Sequence, residues 1–185
     1  MIPAPHPNQQ PKTHKKPHRA GLWIAAAIVA LMLAAGLAYR LTPETGMRLP
    51  AVAVTTIRGQ PLALSSLAGK VVLVNFWSTN CTVCIREMPR LTELYRRHSE
   101  RGYEMIAVAM SFDPPHRVVG FARRNSLPFI VALDLQGAAA QAFGDVNATP
   151  TIFLIDRSGL VVRRYVGAPD FEELERLIER EIATG

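Results

Sequence analysis

Cys81 and Cys84 are the only two cysteines of the chain, and Thr82 and Val83 separate them. Before them runs Val71-Val72-Leu73-Val74-Asn75-Phe76-Trp77, and after them Ile85-Arg86-Glu87-Met88-Pro89-Arg90-Leu91 has helical spacing of its apolar residues. The pair therefore falls where a buried strand hands over to a helix. At a helix N-terminus the unpaired backbone N–H groups and the macrodipole favour negative charge. The first thiol ionises more readily there, and the thiolate is the reactive form. A second thiol two residues further on is close enough to close a disulfide, so the pair can carry reversible two-electron thiol chemistry.

Other uses of two cysteines fit less well. A structural zinc site usually takes four ligands, and His6, His14, His18, His98 and His116 add none at ligand spacing. A purely structural disulfide across so short a loop would constrain the unfolded chain little.

The elements that must hold the pair follow from hydrophobic periodicity. Short strands are expected at 51–56 and 62–64 around a turn at Arg58-Gly59-Gln60-Pro61, and a strand buried on both faces at 71–77. Met88, Leu91, Leu94 and Tyr95 share one face of a helix predicted from Cys84 to about Arg101, which Gly102 ends. A second buried strand is predicted at 103–110, and Asp113-Pro114-Pro115 is expected to open a helix to about Asn125. A strand at 129–133 and a helix at 136–143 come next. The strands 151–155 and 160–166 flank the hairpin signal Asp156-Arg157-Ser158-Gly159. Asp170 is placed to cap a last amphipathic helix built on Phe171, Leu174, Leu177, Ile178 and Ile182. Strands alternating with helices imply an α/β fold, a largely parallel sheet covered on both faces, with the closing hairpin adding antiparallel strands.

The N-terminal part has a different character. From Gly21 to Tyr39 the chain has 19 residues without a charge, about 28 Å long as a helix and so matched to a bilayer's hydrocarbon core. Trp23 and Tyr39 stand near its ends, where aromatic rings favour the interface. Residues 21–41 are accordingly expected to be one uncleaved transmembrane helix. A cleaved signal peptide is the rival reading, with a shorter apolar region and small-residue sites such as Ala34-Ala35-Gly36. Lys12, Lys15, Lys16 and Arg19 precede the run, and no acid occurs in residues 1–41. The positive-inside rule then keeps residues 1–20 in the cytoplasm and puts the rest outside. With Arg40, these residues carry +5 of the formal net charge of +6, leaving +1 for 42–185. The basic balance is thus a topology signal and gives no reason to expect nucleic-acid binding. Residues 42–50 are expected to be a tether, and 51–185 one domain of ordinary size.

This arrangement resembles the thioredoxin fold, and more closely the TlpA/ResA-like membrane-anchored thioredoxins, over about residues 50–182. Three motifs carry the resemblance: Val71–Cys84 with its cysteine pair; Glu87-Met88-Pro89, matching the family's acidic residue and proline; and Ala148-Thr149-Pro150-Thr151 before a strand. Residues 103–144 resemble the strand–helix insertion of these proteins. The fold implied is a mixed central sheet with helices on both faces.

The resemblance implies that Cys81 is the attacking thiolate and Cys84 the resolving thiol. It also implies a cis Pro150 beside the cysteines, with the Thr149 backbone turned to pair with a substrate chain. Trp77 is expected to pack near the site. Glu87 has two readings, a solvated residue of the first helical turns or a buried group that moves protons during exchange. Ordinary thioredoxins have an aspartate where this chain has Asn75, which cannot take a proton, so that role is empty or passes to Glu87. The large residue often found before the first cysteine is here Asn80, and Thr-Val replaces the Gly-Pro or Glu-Pro of better-known members.

The implied activity is a thiol:disulfide oxidoreductase, acting as a reductase on exported proteins such as apocytochrome c or metallochaperones. It would be anchored in the bacterial inner membrane, face the periplasm and be fed by a membrane thiol donor. No cofactor or metal is expected beyond the cysteine pair itself. Three alternatives remain open. One is a thiol oxidase or isomerase. Another is a peroxiredoxin-like peroxidase, although Cys81 stands where that family has a threonine. The third is a copper chaperone using both thiolates and His116, although copper-delivering relatives space their cysteines by three residues.

Overall fold

The computed structural model describes residues 24–25, 27–32 and 46–184. The first group is helical, and among the described residues no helix is long and apolar enough to cross a membrane. Most of the predicted 21–41 span and the 1–20 tail lie outside the described residues. The chain divides into two units, residues 1–42 and 43–185.

The second unit is built on a seven-stranded sheet. Its strands are β1 (Ala53–Thr56), β2 (Pro61–Ala63), β3 (Val71–Trp77), β4 (Tyr103–Ala109), β5 (Ile130–Leu133), β6 (Thr151–Ile155) and β7 (Val161–Val166), in the order β2-β1-β5-β4-β3-β6-β7. β3 pairs parallel with β4 and antiparallel with β6, which places it inside the sheet, and all seven of its residues are buried. The four helices are α1 (Thr82–His98), α2 (Pro115–Arg124), α3 (Ala138–Ala142) and α4 (Phe171–Ala183). The sheet is mixed, as the resemblance implied, but not largely parallel as the alternation of strands and helices suggested: β3–β4 and β4–β5 pair parallel, whereas β1–β2, β1–β5, β3–β6 and β6–β7 pair antiparallel, because β1 and β2 also join the sheet as a hairpin.

Period-2 alternation sorts the β3 side chains between two cores. Val71, Leu73 and Trp77 meet α1, α2 and α4 on one face. Val72, Val74 and Phe76 meet Leu64, Leu67, α3 and Phe143 on the other. Asn75 has the parity of Leu73 and Trp77, so it lies on the α1 face, and its neighbours across the sheet are Ala107 and Ile152.

Several boundaries differ from the sequence expectation for local reasons. α1 starts at Thr82, because Cys81 is its N-cap, and gives way after His98 to a 3-10 turn, Ser99–Arg101. Gly102 then turns the chain at φ +85°, a left-handed conformation that glycine adopts without a Cβ penalty. The 62–64 strand is replaced by β2 at 61–63, and Leu64–Leu67 form a 3-10 helix that buries both leucines. Asp113 does not cap α2, which begins at Pro115. Residues 47–49, expected to be tether, hydrogen-bond to the β6–β7 turn through Leu49 N–H to Gly159 O (2.7 Å) and Val161 N–H to Met47 O (2.8 Å). Asp170 caps α4 as expected, accepting from the N–H groups of Glu172 and Glu173.

Candidate active site

The buried strand β3 delivers the chain to α1 through one tight turn, Ser78–Cys81. Ser78 Oγ accepts the Asn80 N–H at 3.1 Å, and Ser78 O accepts the Cys81 N–H at 3.1 Å. Asp113 pins the same turn from the β4–α2 loop. Its carboxylate accepts the Thr79 N–H at 2.5 Å and the Thr79 hydroxyl at 2.7 Å, and the residue is only 3 % exposed. A buried carboxylate is tolerated because both oxygens are engaged.

Cys81 and Cys84 form a disulfide. Cys81 is half-buried and Cys84 is buried. The N-cap position gives Cys81 Sγ the Cys84 N–H as a donor at 3.1 Å, and Cys81 O accepts the Ile85 N–H, an early bond of α1. One of the otherwise unpaired helix N–H groups is thus aimed at the sulfur that carries negative charge when the pair is reduced. Cys81 Sγ is also 3.5 Å from the Thr149 carbonyl oxygen. The Thr149–Pro150 peptide is cis, and Pro150 is held by its carbonyl accepting the Gly167 N–H at 2.8 Å. Segments distant in sequence, 78–84 and 149–150, are therefore brought together.

Three residues singled out in the sequence are buried on β3 and α1, the two elements that flank the pair. Trp77 is fully buried, its ring centroid 5.3 Å from that of Phe121. Asn75 is buried, and neither its amide nitrogen nor its oxygen has a hydrogen-bond partner among the described residues. Glu87 is 6 % exposed, and both of its carboxylate oxygens are likewise without a partner. Burial raises the Glu87 pKa above its ordinary value, and the nearby Arg86 charge opposes that rise. Of the two sequence readings, the solvated one is therefore excluded: Glu87 is on the buried face of α1 with Cys84 and Met88.

His116 is exposed on α2 and lines a cleft with Thr79 and Asn80. The other ligand-type cluster among the described residues joins His98 to Glu175 and Glu179. There Arg97 pairs with Glu175, and His98 Nε2 lies 3.4 Å from a Glu175 oxygen, so the group ties α1 to α4. Asp113 and Arg117, which donates to Asn80 Oδ1 at 3.1 Å, were not legible as site residues. Each acts across more than 30 positions of sequence, and the Asp-Pro-Pro signal suggested only a helix start.

Three kinds of comparison bear on this arrangement. The family model described as Redoxin matches residues 44–178. Thiol-disulfide oxidoreductase ResA of Bacillus thuringiensis subsp. konkukian is 36% identical over 137 residues, covering 74% of this chain and 78% of that protein. ResA of Geobacillus kaustophilus is 35% identical over 160 residues, covering 82% and 91%. A Chlorobium tepidum protein assigned as a thiol:disulfide interchange protein DsbE has a crystal structure similar to this one (TM-score 0.69, 28% identity, 76% of this chain and 99% of that one). A Neisseria meningitidis protein assigned as a thioredoxin has a similar solution structure (TM-score 0.69, 33% identity, 74% and 91%).

Proposed function

From the premise that the chain belongs to the redoxin family and is a ResA-type thiol-disulfide oxidoreductase, we propose that it is a membrane-tethered reductase of disulfides in exported proteins. The observation that carries the exchange chemistry is the setting of Cys81: helix N-cap, half-exposed, beside both a helix N–H and the Thr149 carbonyl.

In the reduced chain, the Cys81 thiolate attacks one sulfur of the partner disulfide. The partner's other sulfur leaves as a thiolate, and a mixed disulfide joins Cys81 to the partner. Cys84 then loses its proton and attacks Cys81 Sγ. The Cys81–partner bond breaks, the partner's second sulfur leaves, and the chain ends in the disulfide form. The partner gains two electrons and two protons. A dithiol donor must return two electrons to begin the next cycle.

Glu87 is the group we assign to the Cys84 proton. It is a buried carboxyl without a hydrogen-bond partner among the described residues, its pKa is raised by burial, and Asn75 on the α1 face of β3 has no proton to exchange. Thr149 and Pro150 position the partner chain. Pro150 has no N–H, and the Thr149 carbonyl faces Cys81, so an extended partner segment can pair there in strand fashion. Trp77 supports the site by packing. No cofactor enters this scheme.

The anchor and location rest on the uncharged run 21–39 and its basic flank. We place the anchor in the bacterial inner membrane, with the catalytic unit in the periplasm. A reductase in an oxidising compartment needs a membrane donor, and the anchor keeps it beside one. Apocytochrome c and metallochaperone disulfides are the substrate classes this reading favours.

The test is the reduction potential of the Cys81–Cys84 pair in the full chain. It is measured by equilibration with dithiothreitol or glutathione buffers and read by thiol alkylation. A value at or below about −220 mV supports the reductase, and a value near about −120 mV makes the protein an oxidant.

A further inference from the structure

We propose that the surface beside Cys81 selects partner polypeptides carrying acidic side chains next to their reactive disulfide. The proposal rests on the oxidoreductase reading above and names the kind of partner that reading leaves open.

Thr79 and Asn80, the two residues before Cys81, line two shallow clefts. One, of about 390 Å³, is completed by Thr82, Ile85 and Arg86 of the α1 start. The other, of about 380 Å³, is completed by His116, Arg117, Phe121 and Arg124 of α2. Three guanidinium groups and an imidazole line them, and no carboxylate does. Neither includes Thr149 or Pro150, so they are separate from the strand-pairing edge. Each pairs its cations with an apolar wall, Ile85 or Phe121, which suits a side chain with a methylene stem and a carboxylate tip.

One of the cations is held in place, and the course of a second follows from the helix surface. Arg117 Nη1 donates to Asn80 Oδ1 at 3.1 Å, which fixes its guanidinium one residue from Cys81. The planar fork has five N–H donors, so this bond leaves others for an incoming carboxylate. Arg124 lies back along α2 over Gly120, where a Cβ would stand 3.0 Å from Arg124 Nη1. The absence of a side chain at 120 thus lets the Arg124 side chain take this course.

The acid adjoining the clefts, Asp113, is 3 % exposed and has both oxygens turned to Thr79, so it meets no partner directly. The local excess of cations is not a reflection of a basic domain. Residues 42–185 carry a net charge of +1, and α4 carries five glutamates (Glu172, Glu173, Glu175, Glu179, Glu181) against Arg176 and Arg180. Such an uneven field speeds the encounter of oppositely charged partners and slows like-charged ones.

The experiment compares three peptides that share one disulfide loop and differ in flanking residues: Glu, Gln or Lys. The reduced full chain transfers two electrons to each, ending as the Cys81–Cys84 disulfide while the peptide becomes a dithiol. Each rate is normalised to reduction of the same peptide by dithiothreitol, which like Cys81 attacks as a thiolate but carries no other charge, so the effect of flanking charge on intrinsic reactivity is removed. At low ionic strength the Glu peptide is expected to react about tenfold faster than the Lys peptide, with Gln between, in the range of electrostatic steering. The ratio should approach one near 1 M salt, where the screening length is about 3 Å. Replacing both cations, Arg117→Gln with Arg124→Gln, should lower the Glu:Lys ratio at least about threefold by removing two of the positive charges that line the clefts. Arg176→Gln, on exposed α4, should leave it unchanged. Equal, measurable rates for all three peptides at low salt overturn the charge selection alone. Failure of every peptide to react while dithiothreitol reduces it overturns the oxidoreductase reading, and this proposal with it.

Discussion

Replacing Glu87 by glutamine should stabilise the oxidised protein at neutral pH while slowing thiol exchange. Glu87 is 6 % exposed, and neither carboxylate oxygen has a hydrogen-bond partner among the described residues. Its pKa is raised first by desolvation, with the Arg86 charge opposing. A carboxyl whose folded-state pKa lies above its unfolded value favours folding of the protonated form. That contribution is complete below the unfolded pKa, near the ordinary 4.5 of a glutamate, and is lost as pH rises through the raised folded value. Glutamine does not titrate, so the variant escapes the loss. Each tenfold change in an acid constant corresponds to about 1.4 kcal/mol. The gain of Glu87→Gln over wild type should therefore grow between pH 4 and pH 8, by about 1.4 kcal/mol for every tenfold by which burial weakens Glu87 as an acid. The assay is urea unfolding of the disulfide form at each pH, comparing the two chains. The unmet amide of glutamine adds a constant to both pH values and drops out of the difference. A stability difference that does not change with pH, or that changes against the variant, would refute the assignment of Glu87 as an unpaired buried carboxyl. The kinetic half is separate: a proton-handling role requires slower release of the mixed disulfide and a changed pH profile, which a packing role would not produce.

Three further outcomes follow from the same geometry. Cys84→Ser should accumulate the mixed disulfide between Cys81 and a partner peptide, visible by mass spectrometry and reversed by dithiothreitol, because the sulfur that resolves it is gone. Asp113→Ala removes the acceptor of two hydrogen bonds from Thr79 at a buried position. It should cost about 1–3 kcal/mol in urea unfolding and slow exchange by loosening the Ser78–Cys81 turn; an unchanged midpoint and rate would show that the turn holds without it. Leu91→Ala, at a fully buried position on the sheet-facing side of α1, should cost about 2–5 kcal/mol in the same assay, with a smaller loss meaning that the α1 face repacks.

The parts of the fold that were legible in the sequence are those dictated by local chemistry. Val71–Trp77 announces a strand covered on both faces because no polar alternation interrupts it until Asn75. Asp170 announces α4 because its side chain can satisfy the first free N–H groups of the helix. The cysteine pair was legible because strand, CxxC and helix occur in immediate succession. Boundaries shifted where a residue had a competing local use. Cys81 moved into the N-cap and drew the start of α1 forward to Thr82. Leu64 and Leu67 closed a 3-10 turn instead of extending β2, since that geometry buries both of them.

What stayed hidden depends on contacts between segments far apart in the chain, and it accounts for how the site differs from a bare CxxC motif. Asp113 looked like part of a helix start, yet its carboxylate is committed to Thr79, and α2 begins without a side-chain cap. Arg117 looked like an ordinary surface charge of α2, yet it reaches Asn80. Glu87 was ambiguous because three residues after Cys84 is compatible with either face of α1 until the sheet is in place; the packing of Cys84, Met88, Leu91 and Leu94 against Leu73 and Trp77 of β3 then fixes which face is covered, and Glu87 is buried on that side. These three acids and bases surround a cysteine pair whose own chemistry any strand–CxxC–helix turn could supply. Exchange as a reaction is therefore set by residues adjacent in sequence, whereas the proton-handling role we assign to Glu87 and the partner selection we propose for Arg117 and Arg124 depend on the packing of α1 and α2 on β3. A change at Asn80 should for that reason alter partner choice more than thiol reactivity, since its side chain faces Arg117 rather than the Cys81 sulfur.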